Sequence, residues 1–282
     1  MTLRGLHHPT TLADALALLA RSGDAKPLAG GATLVAMMNA GVIEPPALVS
    51  LARIDELKGM AQLPDGRIRI GAFTRHRDVA QCALPLGVGD VVRQAATRIA
   101  NATVRNMGTI GGSIAHADPG ADYPAALVAA GAEVEIAAAG GRRTLPAAEF
   151  FVDWYTTALA PGELVSAVLL PQPDAGRGVY LKHVRVAGDF ATASVALALC
   201  GDGRLRVAIG ACGPTPLADD TVDALLSQDR SAAAVTRAGA LLQQRADPID
   251  DVRGSADYRR RLIPRLLARA VHAIESDAGG RS

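Results

Sequence analysis

Arg105-Asn106-Met107-Gly108-Thr109-Ile110-Gly111-Gly112-Ser113-Ile114-Ala115 is the most informative run of this chain, with Asp118-Pro119 and Asp122-Tyr123-Pro124 just beyond it. A shorter glycine pair precedes it in Leu28-Ala29-Gly30-Gly31-Ala32-Thr33. Each pair sits where an apolar run meets a polar turn. Glycine there permits φ > 0 and lets backbone N–H groups approach a ligand with no Cβ in the way. Successive turn N–H groups form an anion-binding concavity. Two such concavities facing each other can hold the two linked phosphates of a dinucleotide such as FAD.

The rest of the composition narrows the alternatives. The chain has 282 residues, 29 basic and 28 acidic, for a formal charge of +1. That length supports two or three modest domains with a buried core. The charge balance argues against nucleic acid or a membrane surface as a partner reached by charge steering. Only the tail is locally basic: Arg259, Arg260, Arg261, Arg265 and Arg269 alternate with Leu262, Leu266 and Leu267 at helical spacing. It reads as the solvated face of an amphipathic helix, with no aromatic interleaving to suit a nucleic acid. Three cysteines, Cys82, Cys200 and Cys212, make no C-x-x-C, so neither a disulfide framework nor a metal site is expected. They read as small hydrophobes in a reduced, cytoplasmic protein. No uncharged apolar run is long enough for a transmembrane segment, and Met1-Thr2-Leu3-Arg4-Gly5 lacks the apolar centre of a signal peptide. With aromatics at 3%, a bound ring must be gripped by aliphatic side chains and backbone.

Along the chain, Thr11 reads as the N-cap of a helix lined by Leu12, Ala15, Leu16 and Leu19. Lys26–Ala29 and Leu48–Leu51 read as strands around a helical Thr33–Asn39. Arg67–Ala72, Ala132–Ile136 and Leu164–Leu170 read as strands, and Val79–Cys82, Gly87–Arg98 and Pro124–Ala130 as helices. Ala100 to Asp118 reads as ordered loop and turn, because it is rich in Gly, Asn and Thr. Pro171-Gln172-Pro173-Asp174-Ala175-Gly176 is a linker. After it come three strands, Gly178–Val184, Ser194–Cys200 and Leu205–Ala211, the last two joined by a Gly201-Asp202-Gly203 turn. From Leu217 onward the pattern is helical. A sheet followed by helices is an α+β arrangement.

Neither glycine pair fits G-x-G-x-x-G or the P-loop, so nucleotide hydrolysis is disfavoured. A Gly-Gly is either a tight turn or a ligand concavity. In the second segment Asn106, Thr109 and Ser113 add polar side chains beside the glycines. Asp118 and Asp122 would repel phosphate, so they suit ribityl or ribose hydroxyls; the other reading of Asp118-Pro119 is an Asx turn. None of the six histidines stands out as a catalyst; His116 lies inside the motif.

These residues resemble the signature of the FAD-binding medium subunit of molybdenum hydroxylases, a family that includes bacterial carbon monoxide dehydrogenase, nicotine and isoquinoline hydroxylases, 4-hydroxybenzoyl-CoA reductase and, as a fused domain, xanthine dehydrogenase. Leu28–Thr33 resembles the first pyrophosphate loop of that family. Lys182, Arg185 and Gly188-Asp189-Phe190-Ala191 resemble its entry to the C-terminal domain, and Gly254–Arg260 its tail. The resemblance runs from about residue 4 to 272. It implies an α+β chain: a PCMH-type (vanillyl-alcohol-oxidase-like) FAD-binding domain of two α/β subdomains, at 1–52 and 53–173. A small C-terminal α+β domain at 174–282 would follow, with a three-stranded antiparallel sheet and helices.

Carried over by position, Ala29, Gly30, Gly31, Ala32 and Thr33, with Thr109, Ile110, Gly111, Gly112 and Ser113, would wrap the FAD pyrophosphate through backbone N–H groups. Asp118 and Asp122 would meet hydroxyls or the adenosine side. Leu164 and Val165 would pack on flavin or adenine. Lys182, otherwise a surface lysine on a strand, would stand near the flavin ring, where a cation stabilises the anionic reduced form. Phe190 takes the place of an aromatic near the isoalloxazine. Three positions depart from the family pattern: Ala32 replaces a polar residue, Ser113 the usual Asn, and His183-Val184-Arg185-Val186 a more basic run. The first two each remove a side-chain hydrogen bond worth about 0.5–1.5 kcal/mol but leave the backbone cradle in place.

The implied role is electron transfer. Substrate chemistry would take place at molybdopterin on a large partner. Electrons would cross [2Fe–2S] clusters on a small partner and leave through this chain to an external acceptor: quinone, NAD⁺, oxygen or a carrier. The chain lacks the cysteines for such clusters. With no nicotinamide fingerprint, a quinone or carrier is favoured. A dimer of heterotrimers, cytoplasmic or held at a membrane through its partners, is the expected assembly. The other readings are a stand-alone FAD oxidoreductase and a scaffold that has lost its flavin.

Overall fold

The structure, a computed structural model, describes residues 5–21 and 23–279. Most of the signal-peptide reading rests on residues 1–4, outside the described residues. The chain opens with β1 (Gly5–His7), α1 (Leu12–Arg21), β2 (Lys26–Leu28), α2 (Leu34–Asn39) and β3 (Ala47–Ser50). Thr11 Oγ1 accepts from the Asp14 N–H at 3.1 Å, the expected N-cap of α1. Three parallel strands pair in the order β1-β3-β2. The buried face of α1, through Leu12, Ala15, Leu16 and Leu19, packs with Val49, Leu51, Ile54 and Leu57.

Next come β4 (Met60–Gln62), β5 (Ile68–Gly71), α3 (His76–Ala80) and α4 (Asp90–Arg98). Then follow α5 (Ala102–Met107), α6 (Ile110–His116), α7 (Tyr123–Ala130), β6 (Glu133–Ala138) and β7 (Gly141–Pro146). This region closes with α8 (Ala147–Phe150), β8 (Phe151–Asp153), β9 (Thr156–Thr157) and β10 (Leu164–Leu170). An antiparallel sheet runs β4-β5-β10-β6-β7, and β8 pairs with β9. In the centre, β10 is buried at every position and apolar at all but Ser166, as suits a strand covered on both faces. Two helices replace the loop expected between Ala100 and Asp118. Each starts on a side-chain cap: Asn101 accepts from the Val104 N–H, and Thr109 from the Gly112 N–H. The polar residues that read as loop are therefore helix starts.

The C-terminal part holds β11 (Arg177–His183), β12 (Ala193–Leu199), β13 (Leu205–Gly210), β14 (Leu217–Ala218), α9 (Asp220–Gln228), α10 (Ala232–Arg245) and α11 (Ala256–Gly279). The sheet has four strands, not the expected three, because two-residue β14 pairs at the edge of β13. Along β12 the residues alternate between two cores. Val195, Leu197 and Leu199 pack with Leu262, Ile263 and Leu266 of α11. The small Ala196 and Ala198 face the other way, towards Val91, Ala125 and Ala129 of α4 and α7. Gly178 belongs to that close approach, since a Cβ there would press on Val91. The basic tail departs from its sequence reading at one residue. Arg259 is 4% exposed and donates to the carbonyls of Thr192 and Ala211 at 2.7 and 3.1 Å and to Asp251 at 2.5 Å.

Candidate functional site

The first glycine loop joins β2 to α2. Gly31 has φ +77°, in the left-handed region, and Gly30 lies so close to Met107 that a Cβ would overlap its carbonyl oxygen. The two glycine segments, about 75 residues apart in sequence, thus touch. The N–H groups of Gly30, Gly31, Ala32 and Thr33 find no acceptor among the described residues. Thr33 precedes α2 without its side chain capping the helix. Gly30, Gly31 and Ala32 are half-buried and Thr33 is exposed, so on the cavity wall these four donors are open to an anionic ligand.

In the second segment most donors have partners. Ile110 N–H donates to Thr74 O at 3.0 Å, Gly111 N–H to Ala72 O at 2.9 Å and Ser113 N–H to Thr109 O at 3.0 Å. Gly112 N–H donates to Thr109 Oγ1 at 3.2 Å. Thr109 N–H alone among these five has no acceptor among the described residues. A Cβ on Gly111 would press into Ala72, and one on Gly112 would meet Thr109 Oγ1 at 3.0 Å and Ala29 Cβ at 3.5 Å. These glycines let the segment lie flat against β5 and the first loop.

Between the segments runs a cavity of about 450 Å³, within the range of sites that take drug-sized ligands. Of the residues singled out from the sequence, Ala29, Gly30, Gly31, Ala32, Thr33, Thr109, Gly111, Gly112, Ser113, Asp118, Asp122, Leu164, Val165 and Lys182 all line it. Ile110 does not: its side chain is fully buried in the main core. Asp118 Oδ1 accepts from Gly120 N–H at 2.8 Å, so the Asx turn is present even though the residue borders the cavity. The mouth carries Asp189 and Phe190, and the Arg253 guanidinium sits 5.1 Å from the Phe190 ring centroid.

Deeper in, β11 places Tyr180 and Lys182 two residues apart, on one face of the strand. Both meet Asp122, the residue before α7. Tyr180 hydroxyl donates to Asp122 Oδ1 at 2.8 Å and Lys182 Nζ to Asp122 Oδ2 at 3.0 Å. Burial raises the Asp122 carboxyl above its ordinary range, with Lys182 and Tyr180 pulling the other way. Burial also pushes the Tyr180 phenol well up.

His76, one of the histidines read as surface or satisfied core, is buried on the cavity wall behind Gly108. Its Nδ1 lies 3.2 Å from the Tyr123 hydroxyl. Burial, then the nearby Arg105 charge, lower it to about 4, so it is neutral at physiological pH. Leu34, Met37 and Ile43 also line the cavity and were missed. For Leu34 and Met37 the signal was α2 itself, apolar at five of six positions yet with none of its residues buried; Ile43 lies beyond it. Among the described residues no cluster of three metal-ligating side chains occurs, and no helix is long and apolar enough to cross a membrane.

The arrangement suits binding more than acid–base catalysis: unpaired N–H groups for an anion, aliphatic walls for rings and one buried cation. Those features fit the pyrophosphate and ring system of a flavin dinucleotide.

Similarity to known proteins points the same way. Residues 2–173 match the family described as the FAD binding domain in molybdopterin dehydrogenase, and residues 179–274 the CO dehydrogenase flavoprotein C-terminal domain. The carbon monoxide dehydrogenase medium chain of Afipia carboxidovorans is 35% identical over 280 residues, covering 96% of each chain. The glyceraldehyde dehydrogenase medium chain of Sulfolobus acidocaldarius is 33% identical, covering 94% of this chain and 95% of that one. Among solved structures, carbon monoxide dehydrogenase from Hydrogenophaga pseudoflava superposes with a TM-score of 0.92 at 34% identity, covering 98% of both chains. Quinoline 2-oxidoreductase from Pseudomonas putida 86 does so with a TM-score of 0.90 at 27% identity, covering 99% of both. By fold, cavity and sequence alike, the chain belongs to the family of FAD-binding medium subunits of the molybdenum hydroxylases.

Proposed function

We propose that this chain is the electron-exit subunit of a three-subunit molybdenum hydroxylase. It takes electrons from [2Fe–2S] clusters on a small partner and passes them to an external acceptor, while a large molybdopterin subunit carries the substrate chemistry. The relatives' names as medium chains and subunits support a multi-subunit assembly. The observation that carries the reading is the row of unpartnered N–H groups at Gly30–Thr33, held against the second glycine segment on the cavity wall. A quinone or soluble carrier as acceptor, a cytoplasmic dimer of heterotrimers and membrane association only through partners complete the proposal.

When bound, FAD supplies reversible one- and two-electron chemistry. The residues divide the work of holding it. Backbone donors of Gly30, Gly31, Ala32 and Thr33, with Thr109 N–H, meet the pyrophosphate charge. Gly111, Gly112 and Ser113 build the wall behind them rather than donate, and Ile110 anchors the segment in the core. Ala29, Leu164 and Val165 supply apolar surface that excludes water. Asp118 borders the opening, and Lys182 contributes positive charge near the ring system. Ala32 offers no side-chain donor and Ser113 only a short hydroxyl, but the free backbone donors stay in place.

Purification of the chain with everything that accompanies it tests the reading. Flavin absorbance, broad iron–sulfur absorbance and molybdenum by elemental analysis are the expected result. Flavin without metals or partners would favour a stand-alone FAD oxidoreductase. A colourless chain that takes up no added FAD would leave a scaffold.

A further inference from the structure

We propose that Arg253, on the loop before α11, is a positioning residue that clamps Phe190 across the cavity mouth, and that the clamp sets how openly a bound flavin meets an external acceptor. This rests on the reading above that FAD fills this cavity and that electrons leave from it.

Phe190 lines the cavity yet is 40% exposed, a large apolar side chain standing at a rim. The loop that carries it comes against the Ile99-Ala100 wall: Gly188 has φ +86°, and a Cβ there would meet the Ala100 carbonyl oxygen at 3.2 Å. An exposed ring without partners changes rotamer within nanoseconds. Phe190 has a partner. The Arg253 Cζ sits 5.1 Å from its ring centroid, within cation–π range. The same guanidinium is held at its edges, where Nε pairs with Asp189 Oδ1 at 3.5 Å and Nη1 with Asp251 Oδ2 at 3.3 Å. A planar guanidinium fixed along its edges offers one face to the ring.

The anchor of the clamp lies in the C-terminal core. Asp251 accepts from the Arg253 N–H at 2.8 Å and from Arg259 Nη2 at 2.5 Å, and Arg259 is itself buried on α11. Arg185 donates to Val252 O at 3.0 Å, which ties the loop to the segment that leads to Phe190. The ring is thus placed from α11 through Asp251 and Arg253. Arg253 does not line the cavity, so it acts on the mouth and not on the cofactor. Loss of Arg253 frees the ring to swing outward and opens the mouth. Loss of the ring opens it whether Arg253 is present or not.

The test uses the full-length chain loaded with FAD and reduced with dithionite, as wild type, Arg253→Met, Phe190→Ala and the double variant. Reoxidation by a small uncharged quinone, which takes up two electrons and two protons and leaves as the hydroquinone, is followed by absorbance. An uncharged acceptor keeps the lost arginine charge from acting through steering. Arg253→Met is expected to speed reoxidation at least fivefold, with FAD affinity within about threefold of wild type by fluorescence titration. Phe190→Ala speeds it at least fivefold as well, and adding Arg253→Met to it changes the rate less than about twofold. A rate in Arg253→Met equal to or below that of wild type overturns the proposal. So does an Arg253→Met effect of the same size with and without the ring, which a merely structural role would give. Should Arg253→Met not fold, Phe190→Ala carries the test: an unchanged rate there shows that the ring does not obstruct the mouth and overturns the clamp. If wild type and all variants hold FAD but pass no electrons to the quinone, the electron-exit reading beneath the proposal falls, and the proposal with it.

Discussion

Gly30 lies against the carbonyl of Met107 with no room for a Cβ between them. This contact presses the two glycine segments together and frames the cavity. It also explains why the unpaired donors of the first loop stand opposite a second segment whose donors are mostly satisfied.

Gly30→Ala must push the loops apart. Overpacking of this kind costs about 1–3 kcal/mol. FAD affinity is expected to fall at least tenfold while the chain stays folded. Gly112→Ala is the graded comparison: its Cβ would meet Thr109 Oγ1 at 3.0 Å, a contact that can ease by tenths of an ångström, so the loss should be smaller. Fluorescence titration of both variants checks the ranking.

His76 makes stability depend on pH. Its folded value of about 4 lies below the ordinary 6.5, so between those limits the unfolded chain binds a proton that the folded chain refuses. The contribution is complete above pH 6.5 and drains away as pH falls towards 4, by up to about 3 kcal/mol. Urea unfolding of wild type and His76→Gln at pH 7 and pH 4 should show a smaller pH effect in the variant. Parallel curves would contradict the account.

Asp223 acts in the opposite direction. Burial first, and then repulsion from Asp220, raise it to about 6 in the folded chain, against the pull of the Val207 N–H that it accepts at 2.9 Å. A raised carboxyl favours folding at low pH, and that advantage is lost as pH rises through 6. Asp223→Asn keeps the acceptor and removes the charge. It should stabilise the chain by about 1–2 kcal/mol at pH 8, allowing for partial exposure, and have little effect at pH 3.5.

Arg259 fastens α11 to the sheet. Its guanidinium serves the carbonyls of Thr192 and Ala211 and pairs with Asp251, whose loop also holds Arg253 beside Phe190. Arg259→Met leaves the buried carbonyls without this donor, while Asp251 keeps the N–H and guanidinium of Arg253, a loss of about 1–3 kcal/mol. Chemical denaturation reads it directly; a change below about 1 kcal/mol would show that the network carries no stability.

What the sequence revealed follows the range of the interactions. The strands β5, β6, β10, β12 and β13 declared themselves because their own residues alternate or run apolar. Helices α5 and α6 did not, because Asn101, Thr109 and the Gly111-Gly112 pair have the composition of a loop. Only their caps and the packing of Gly111 on Ala72 make them helical. The cavity was visible through its glycines. Asp122 was seen as polar and close to the motif, but its partners Tyr180 and Lys182 arrive about 60 residues later on another strand. Arg259 has the spacing of an exposed face, and only the carbonyls of distant residues 192 and 211 show that it is buried. His76 has no local signature at all.

The most direct measurement is a titration of the purified, cofactor-stripped chain with FAD, followed by absorbance and fluorescence, for wild type and Gly30→Ala side by side. Wild type should take up one FAD per chain saturably, and Gly30→Ala should take it up at least tenfold more weakly. Equal affinity in the two would contradict a pyrophosphate site at the first glycine loop. No uptake by a folded wild-type chain would contradict the flavoprotein assignment itself.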